Sequence, residues 1–266
     1  MIGPSYELGG PALPIVLERS ELNLLWRHLE LGTRPLTLAT RECGVTLAEA
    51  AEFDRRSAAT LRERGLLDGP AVHPELAAAL HCLAAPRHAV DLRWTVEPGR
   101  EIRAMAAEDG RRGARGVLDE ERLFVDDVHP TDVIPSVIAV LAEMRAGTGQ
   151  MVRLPAPVVE AAGADGPPSD ARFETALVEH GIPAGEAKEV LGMLGTARLR
   201  GGQLGVTSRD RLGVPHRAPW VIDVYDTVQG RYAVHHRDDW ITVAPADSAR
   251  LAEMLRELLE AGTEEA

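Results

Sequence analysis

Apolar residues fall at two spacings along the chain. Between residues 220 and 243 they sit at strand spacing. The segments 220–225, 231–236 and 240–243 are rich in β-branched and aromatic side chains, with turns at 227–230 and 237–239. Connections this short join antiparallel neighbours, because a parallel partner needs a long crossover. The spacing then changes. Leu251, Met254, Leu255, Leu258 and Leu259 recur at helical intervals, behind Pro245 and Asp247, which suit a first turn.

The same grammar runs earlier. A strand is predicted over 12–17, then a helix capped by Ser20 with Leu22, Leu25, Trp26 and Leu29 on one stripe. An extended connection follows over 34–38. Thr46 and Glu49 form a capping-box pattern that opens a helix to about Arg64, closed by Gly65. An alanine-rich helix over 74–85 stops at Pro86. Strands are predicted over 90–96, 100–106, 116–118 and 123–128, the first two joined by Glu97, Pro98 and Gly99. A helix capped by Thr131 carries Ile134, Val137, Ile138 and Leu141.

The second half restarts in the same order. A strand is predicted over 151–154, then helices over 155–162, 170–180 and 184–194, then a hairpin of 197–200 and 204–208 turning at Gly201 and Gly202. Residues echo too: Leu141-Ala142-Glu143-Met144 after the first half's strands, Leu251-Ala252-Glu253-Met254 after the second's. Runs of strands beside runs of helices predict an α+β fold of two similar halves, 1–148 and 149–266. A lone half would leave a sheet edge open, so one continuous sheet is expected across a single domain, 1–266.

Composition narrows the function. The net charge is −12, which disfavours a general binder of nucleic acid or anionic membrane. No apolar run reaches the ~20 residues of a membrane span, and the first residues lack the basic start of a signal peptide, so a cytoplasmic protein is expected. Cys43 and Cys82 have no metal or redox spacing and read as buried or idle thiols. His235 and His236 are adjacent on a strand and point to opposite faces, so no metal site is assigned. Asp223 and Asp226 could pair for acid–base chemistry, but Asp226 with Thr227 reads as the start of a turn. Arg111, Arg112 and Arg115 read as a solvated loop tip. No nucleophile–base arrangement is present, so neither catalytic residue nor cofactor is expected.

One stretch supports a second reading. Residues 44–67 resemble part of a winged-helix transcription regulator, and Arg55, Arg56, Arg62 and Arg64 could face phosphate. Glu49, Glu52, Asp54 and Glu63 cancel that charge.

A longer resemblance covers most of the chain. Trp26 with Leu31 and Gly32, Pro35 and Leu36, Gly44 with Thr46 and Glu49, residues 64–66 and 83–86 resemble the first half of the ESX secretion-associated EspG family. Asp226 and Thr227, residues 230–232, Trp240, Thr242, Val243 and Pro245 resemble its second half. The family comprises cytosolic chaperones of actinobacterial type VII secretion. The resemblance implies a central antiparallel sheet flanked by two helical bundles, with pseudo-two-fold related halves. It implies binding of a helical PE–PPE-like secretion substrate rather than catalysis, and it points to the C-terminal bundle and a hairpin loop as the grip. That loop is often long in the family; its counterpart here is only Glu97, Pro98 and Gly99. In the bundle, Val178, Ile182, Val190, Met193 and Leu194 supply apolar surface, and Glu186 and Glu189, with Glu179, an acidic rim. The same apolar residues would serve equally as core, and the sequence leaves both readings open.

Overall fold

The computed structural model describes residues 14–163 and 170–264. The chain runs β1 (Ile15–Glu18), α1 (Arg19–His28), a 3-10 turn (Leu36–Leu38), α2 (Leu47–Glu63), β2 (Leu67–Asp68), β3 (Ala71–Val72), α3 (Pro74–Ala84), β4 (His88–Glu97), β5 (Arg100–Glu108), β6 (Gly113–Asp119) and β7 (Arg122–Val128). A 3-10 turn (Pro130–Asp132) and α4 (Val133–Ile138) follow, then β8 (Val152–Pro155), α5 (Ala156–Gly163), α6 (Asp170–Glu179) and α7 (Ala184–Leu194). The last stretch is β9 (Arg198–Arg209), β10 (Pro215–Arg217), β11 (Ile222–Thr227), β12 (Gly230–Arg237), β13 (Trp240–Pro245) and α8 (Ser248–Glu264).

This is an α+β protein built on one large antiparallel sheet. Its path is β1-β7-β6-β5-β4-β9-β11-β12-β13-β8, with β10 added beside β9, while β2 and β3 pair separately. The seam is β4 against β9, from His88↔Ser208 to Thr95↔Gly201. Strands before and after residue 148 therefore share one sheet.

Alternation explains which face each layer covers. Val90, Leu92 and Trp94 of β4 and Leu204 and Val206 of β9 bury against α4 and α8. On the opposite face, α1 and α3 pack on Ala89, Met105, Ala107, Leu123 and Val125. Farther along that face, α5 and α7 pack on Val152, Leu154 and Val243, and α6 packs on α7. Cys43 and Cys82 are free and buried, and burial pushes the Cys82 thiol up to about 12.

Several local expectations need correction. Residues 197–208 are not a hairpin but one 12-residue strand. Gly201 and Gly202 mark close backbone approach rather than a turn: a Cβ on Gly202 would overlap the Arg93 carbonyl of β4. The first helix is capped by Glu18, with Glu21 completing the box; Ser20 lies inside it and accepts from Ser57 Oγ at 2.9 Å. The connection over 34–38 contains a 3-10 turn. α4 ends at Ile138, so Leu141–Met144 is outside a helix whereas Leu251–Met254 is within α8, and the sequence echo is not a structural one. Residues 12 and 13 of the first predicted strand lie outside the described residues. The Thr46 box forms as expected: Thr46 Oγ1 accepts Glu49 N at 3.2 Å and Glu49 Oε2 accepts Thr46 N at 3.0 Å.

Gly202→Ala is expected to cost about 1–3 kcal/mol, because β4 must shift to clear the new methyl. A lower urea midpoint with unchanged slope would report it; an unchanged midpoint would show that the seam is loose there.

Candidate functional site

The short turns and strand ends set the geometry. Thr95↔Gly201, Gly201↔Tyr225, Tyr225↔Tyr232 and Tyr232↔Pro245 form one cross-strand row. Beyond this row, at one end of the sheet, lie the β4–β5 tip (Glu97, Pro98), the start of β9, the β11–β12 turn and the lead into β8. Three large apolar side chains stand in solvent there: Val228 at 73% exposure, Met151 at 61% and Leu199 at 52%. None of the three was singled out by periodicity, since each sits in a turn or at a strand end.

At one side of this surface, β8 and α7 enclose a groove of about 620 Å³ lined by Gln150, Met151, Val152, Arg153, Gly185, Glu186 and Glu189. Glu186 is exposed and Glu189 half-buried, and Glu189 Oε1 accepts the Gln150 amide at 2.6 Å. Glu186 and Glu189 therefore line the groove against the edge strand β8, while Glu179 is not among its lining residues.

The apolar part of the expectation needs correction. Val190, Met193 and Ile182 are 0%, 1% and 8% exposed and belong to a core with Leu177, Tyr225 and Tyr232. Those positions of α7 and the preceding turn point at the sheet, so the surplus of apolar residues is consumed by packing. Leu194 is half-buried against the same core. Val178 is exposed at 41%. Glu97 and Pro98 are exposed on their tip, but four strands lie between β4 and β8, so five inter-strand spacings, about 24 Å at usual spacing, separate them. They share an end of the sheet with the groove without entering it.

A second opening lies on the sheet face beside the 3-10 turn at Leu36–Leu38 and the end of α3. Leu36, Met105, Asp91, Arg93, Gln203 and Arg217 are among the residues lining a cleft of about 710 Å³. Its floor is polar: Arg217 pairs with Asp91, and Gln203 Nε2 donates to Asp223 Oδ1 at 2.8 Å.

Behind the exposed end lies a buried ion pair. Arg231 and Asp226 are both fully buried; Nε donates to Oδ1 at 2.7 Å and Nη2 to Oδ2 at 3.2 Å. Arg200 adds a third member at 3.0 Å. Arg231 Nη2 also reaches the Ala142 carbonyl at 2.8 Å. Its backbone bonds Arg145, Gly147 and Ala246, and the Tyr232 hydroxyl donates to the Thr148 carbonyl at 3.0 Å. The connector near residue 148 is therefore clamped to β12. Asp226 is not a turn residue, as the sequence suggested; Thr227 Oγ1 does that work, accepting Gln229 N and donating to Gly230 O. Asp223 and Asp226 face opposite ways, so they form no carboxylate pair.

Other candidates resolve by pairing. Arg115 binds Asp126, and Arg112 binds Asp127 at 3.0 Å, so only Arg111 of that cluster remains a solvated tip. Arg55 and Arg56 of α2 both pair with Glu52, and Arg64 at its C-cap pairs with Glu21, so acidic partners offset their charge. Among the described residues, no three His, Cys, Asp or Glu converge to hold a metal ion, and no helix is long and apolar enough to cross a membrane.

No curated protein sequence matches this chain. Its fold matches a solved structure of the Mycobacterium tuberculosis type VII secretion system chaperone EspG5 in complex with a PE25–PPE41 dimer. The TM-score is 0.69 and the identity 19%, over 93% of this chain and 96% of that one. The EspG family model matches residues 18–257. The chain belongs to the EspG family.

Proposed function

We propose that this protein is a cytosolic chaperone of a type VII secretion pathway that holds a helical PE–PPE-like substrate in soluble form. Family membership over residues 18–257 carries this reading. A physical surface supports it: Met151, Leu199 and Val228 stand exposed on one sheet end, between the Glu97–Pro98 tip and the acid-lined α7–β8 groove. Apolar side chains left in water at a sheet end suit the tip of a partner helix, where burial contributes about 25 cal/mol per Å². The glutamates at the rim favour a partner with basic residues around that tip. The function is binding, with no catalytic step and no cofactor.

The architecture supports a quasi-two-fold reading, with halves 1–148 and 149–266 within one domain and a helical bundle over each. Read outward from the β4–β9 seam, each side gives a meander and then the half's own first strand: β4-β5-β6-β7-β1 on one side, β9-β11-β12-β13-β8 on the other.

Co-expression with helical secreted proteins encoded near this gene tests the function. A PE–PPE pair should move from pellet to supernatant and copurify with the chain in fixed ratio. Failure of every such pair to gain solubility, with a salt-sensitive shift of a DNA probe instead, would favour the regulator reading.

A further inference from the structure

The far end of the sheet carries charge that the fold does not need. Arg87 precedes β4 and Arg209 ends β9, and they are cross-strand neighbours: Arg209 N donates to Arg87 O at 2.8 Å, and Arg87 N donates to Glu108 O at 2.7 Å. Like charges facing each other across a sheet are destabilising. Arg87, Arg209 and Arg211 line a cleft of about 510 Å³ with Asp109 and Asp210, and Arg111 stands on the adjoining β5–β6 turn. Among the described residues none of these four arginines is in an ion pair, and Arg209 Nη1 donates only to the Gly213 carbonyl at 2.6 Å. Elsewhere on the sheet, Arg93, Arg100, Arg115, Arg217 and Arg231 each hold a carboxylate.

The two aspartates keep their charge and offset part of the cleft's, but their oxygens are engaged by main-chain amides and His216 rather than by a guanidinium of the cleft. Asp109 Oδ1 accepts the amides of Arg111 and Arg112 at 2.9 and 3.0 Å. Asp210 Oδ1 accepts those of Leu212 and Val214, both at 2.8 Å, and Oδ2 meets His216 Nε2 at 3.2 Å. These bonds hold the turns that present the guanidinium groups. Beside them, Leu212 is 88% exposed and Val214 47%.

We propose that this cleft is a second docking site, for an acidic segment of a partner protein carrying an apolar residue within its run of carboxylates. Guanidinium forks suit carboxylates, and on a chain of net charge −12 this is a place where the arginines outnumber the two aspartates beside them and are not in ion pairs. Leu212 and Val214 supply the apolar contact that distinguishes a peptide from a free anion. The site is at the opposite end of the sheet from the surface assigned to the secretion substrate, so both can be filled together, and neither assignment depends on the other.

The test is fluorescence anisotropy of a labelled glutamate-rich peptide containing leucine, titrated with the full chain at low salt. Binding should weaken steeply as salt rises, and Arg87→Glu combined with Arg211→Glu should lose at least tenfold in affinity with an unchanged melting temperature. Arg55→Glu with Arg56→Glu changes the net charge equally on another surface and should bind like the parent. Absence of binding at low salt, or an equal loss in both double variants, overturns the site. Full displacement by millimolar inorganic phosphate, or an undiminished affinity in Leu212→Ser, overturns its assignment to a peptide.

Discussion

Asp226→Ala is expected to destabilise the protein by about 3–5 kcal/mol, a fall in Tm on the order of 10 °C. Asp226 is, among the described residues, the one carboxylate paired with both Arg231 and Arg200. Arg200 is 27% exposed in its side chain and can turn to water, but Arg231 is fully buried and cannot. Its ring neighbour is Trp94, 5.8 Å from the guanidinium, and Nη1 is already buried with no partner. Removing the carboxylate leaves a buried cation held by one backbone carbonyl and an aromatic face, and that desolvation cost is not recovered. Arg231→Met should cost less than Asp226→Ala, since Arg200 still balances Asp226. Replacing the pair together, Asp226→Leu with Arg231→Met, should also cost less than the single acidic change. Thermal melts of the three variants decide the order. A Tm for Asp226→Ala within a degree or two of the parent would show that the pair is not the clamp described here.

The chain's order of elements was legible because local signals agreed with one another. The Thr46 box, Gly65, Pro86 and the turn at Glu97–Gly99 each act within a few residues, and each formed where the spacing put it. Gly201 and Gly202 misled because a glycine pair reads as a turn when seen alone. The reason at Gly202 is a neighbour far back in the sequence, Arg93 of β4, whose carbonyl occupies the place of a side chain. Asp226 misled in the same way, since its partners are set by the strand register rather than by sequence neighbours. The α7 site was half legible. Helical periodicity shows that Val190 and Met193 share a face but not whether that face meets the sheet or a partner. The exposed residues Met151, Leu199 and Val228 carry no periodic signal, because turns and strand ends have none.

The α7 face can be separated from the exposed end by two sets of substitutions with opposite outcomes. Val190→Asp places a carboxylate in a fully buried position between Leu177, Met193 and the stacked rings of Tyr225 and Tyr232, whose centroids are 5.6 Å apart. The cost is several kcal/mol, so the variant should melt far below the parent and lose its partner only by losing its fold. Val228→Glu and Leu199→Glu place charge where water already is, and should shift stability by no more than about 0.5 kcal/mol. If this end receives the apolar tip of a PE–PPE-like helix, each should weaken the complex by about 2 kcal/mol, roughly thirtyfold, as removal of a central apolar contact does. Melting curves beside calorimetric titration with a copurifying PE–PPE pair separate the cases. Retained affinity in both exposed variants would move the binding surface away from this sheet end. A parental melting temperature for Val190→Asp would return α7 to consideration, because a carboxylate can sit there at no cost only if water reaches it.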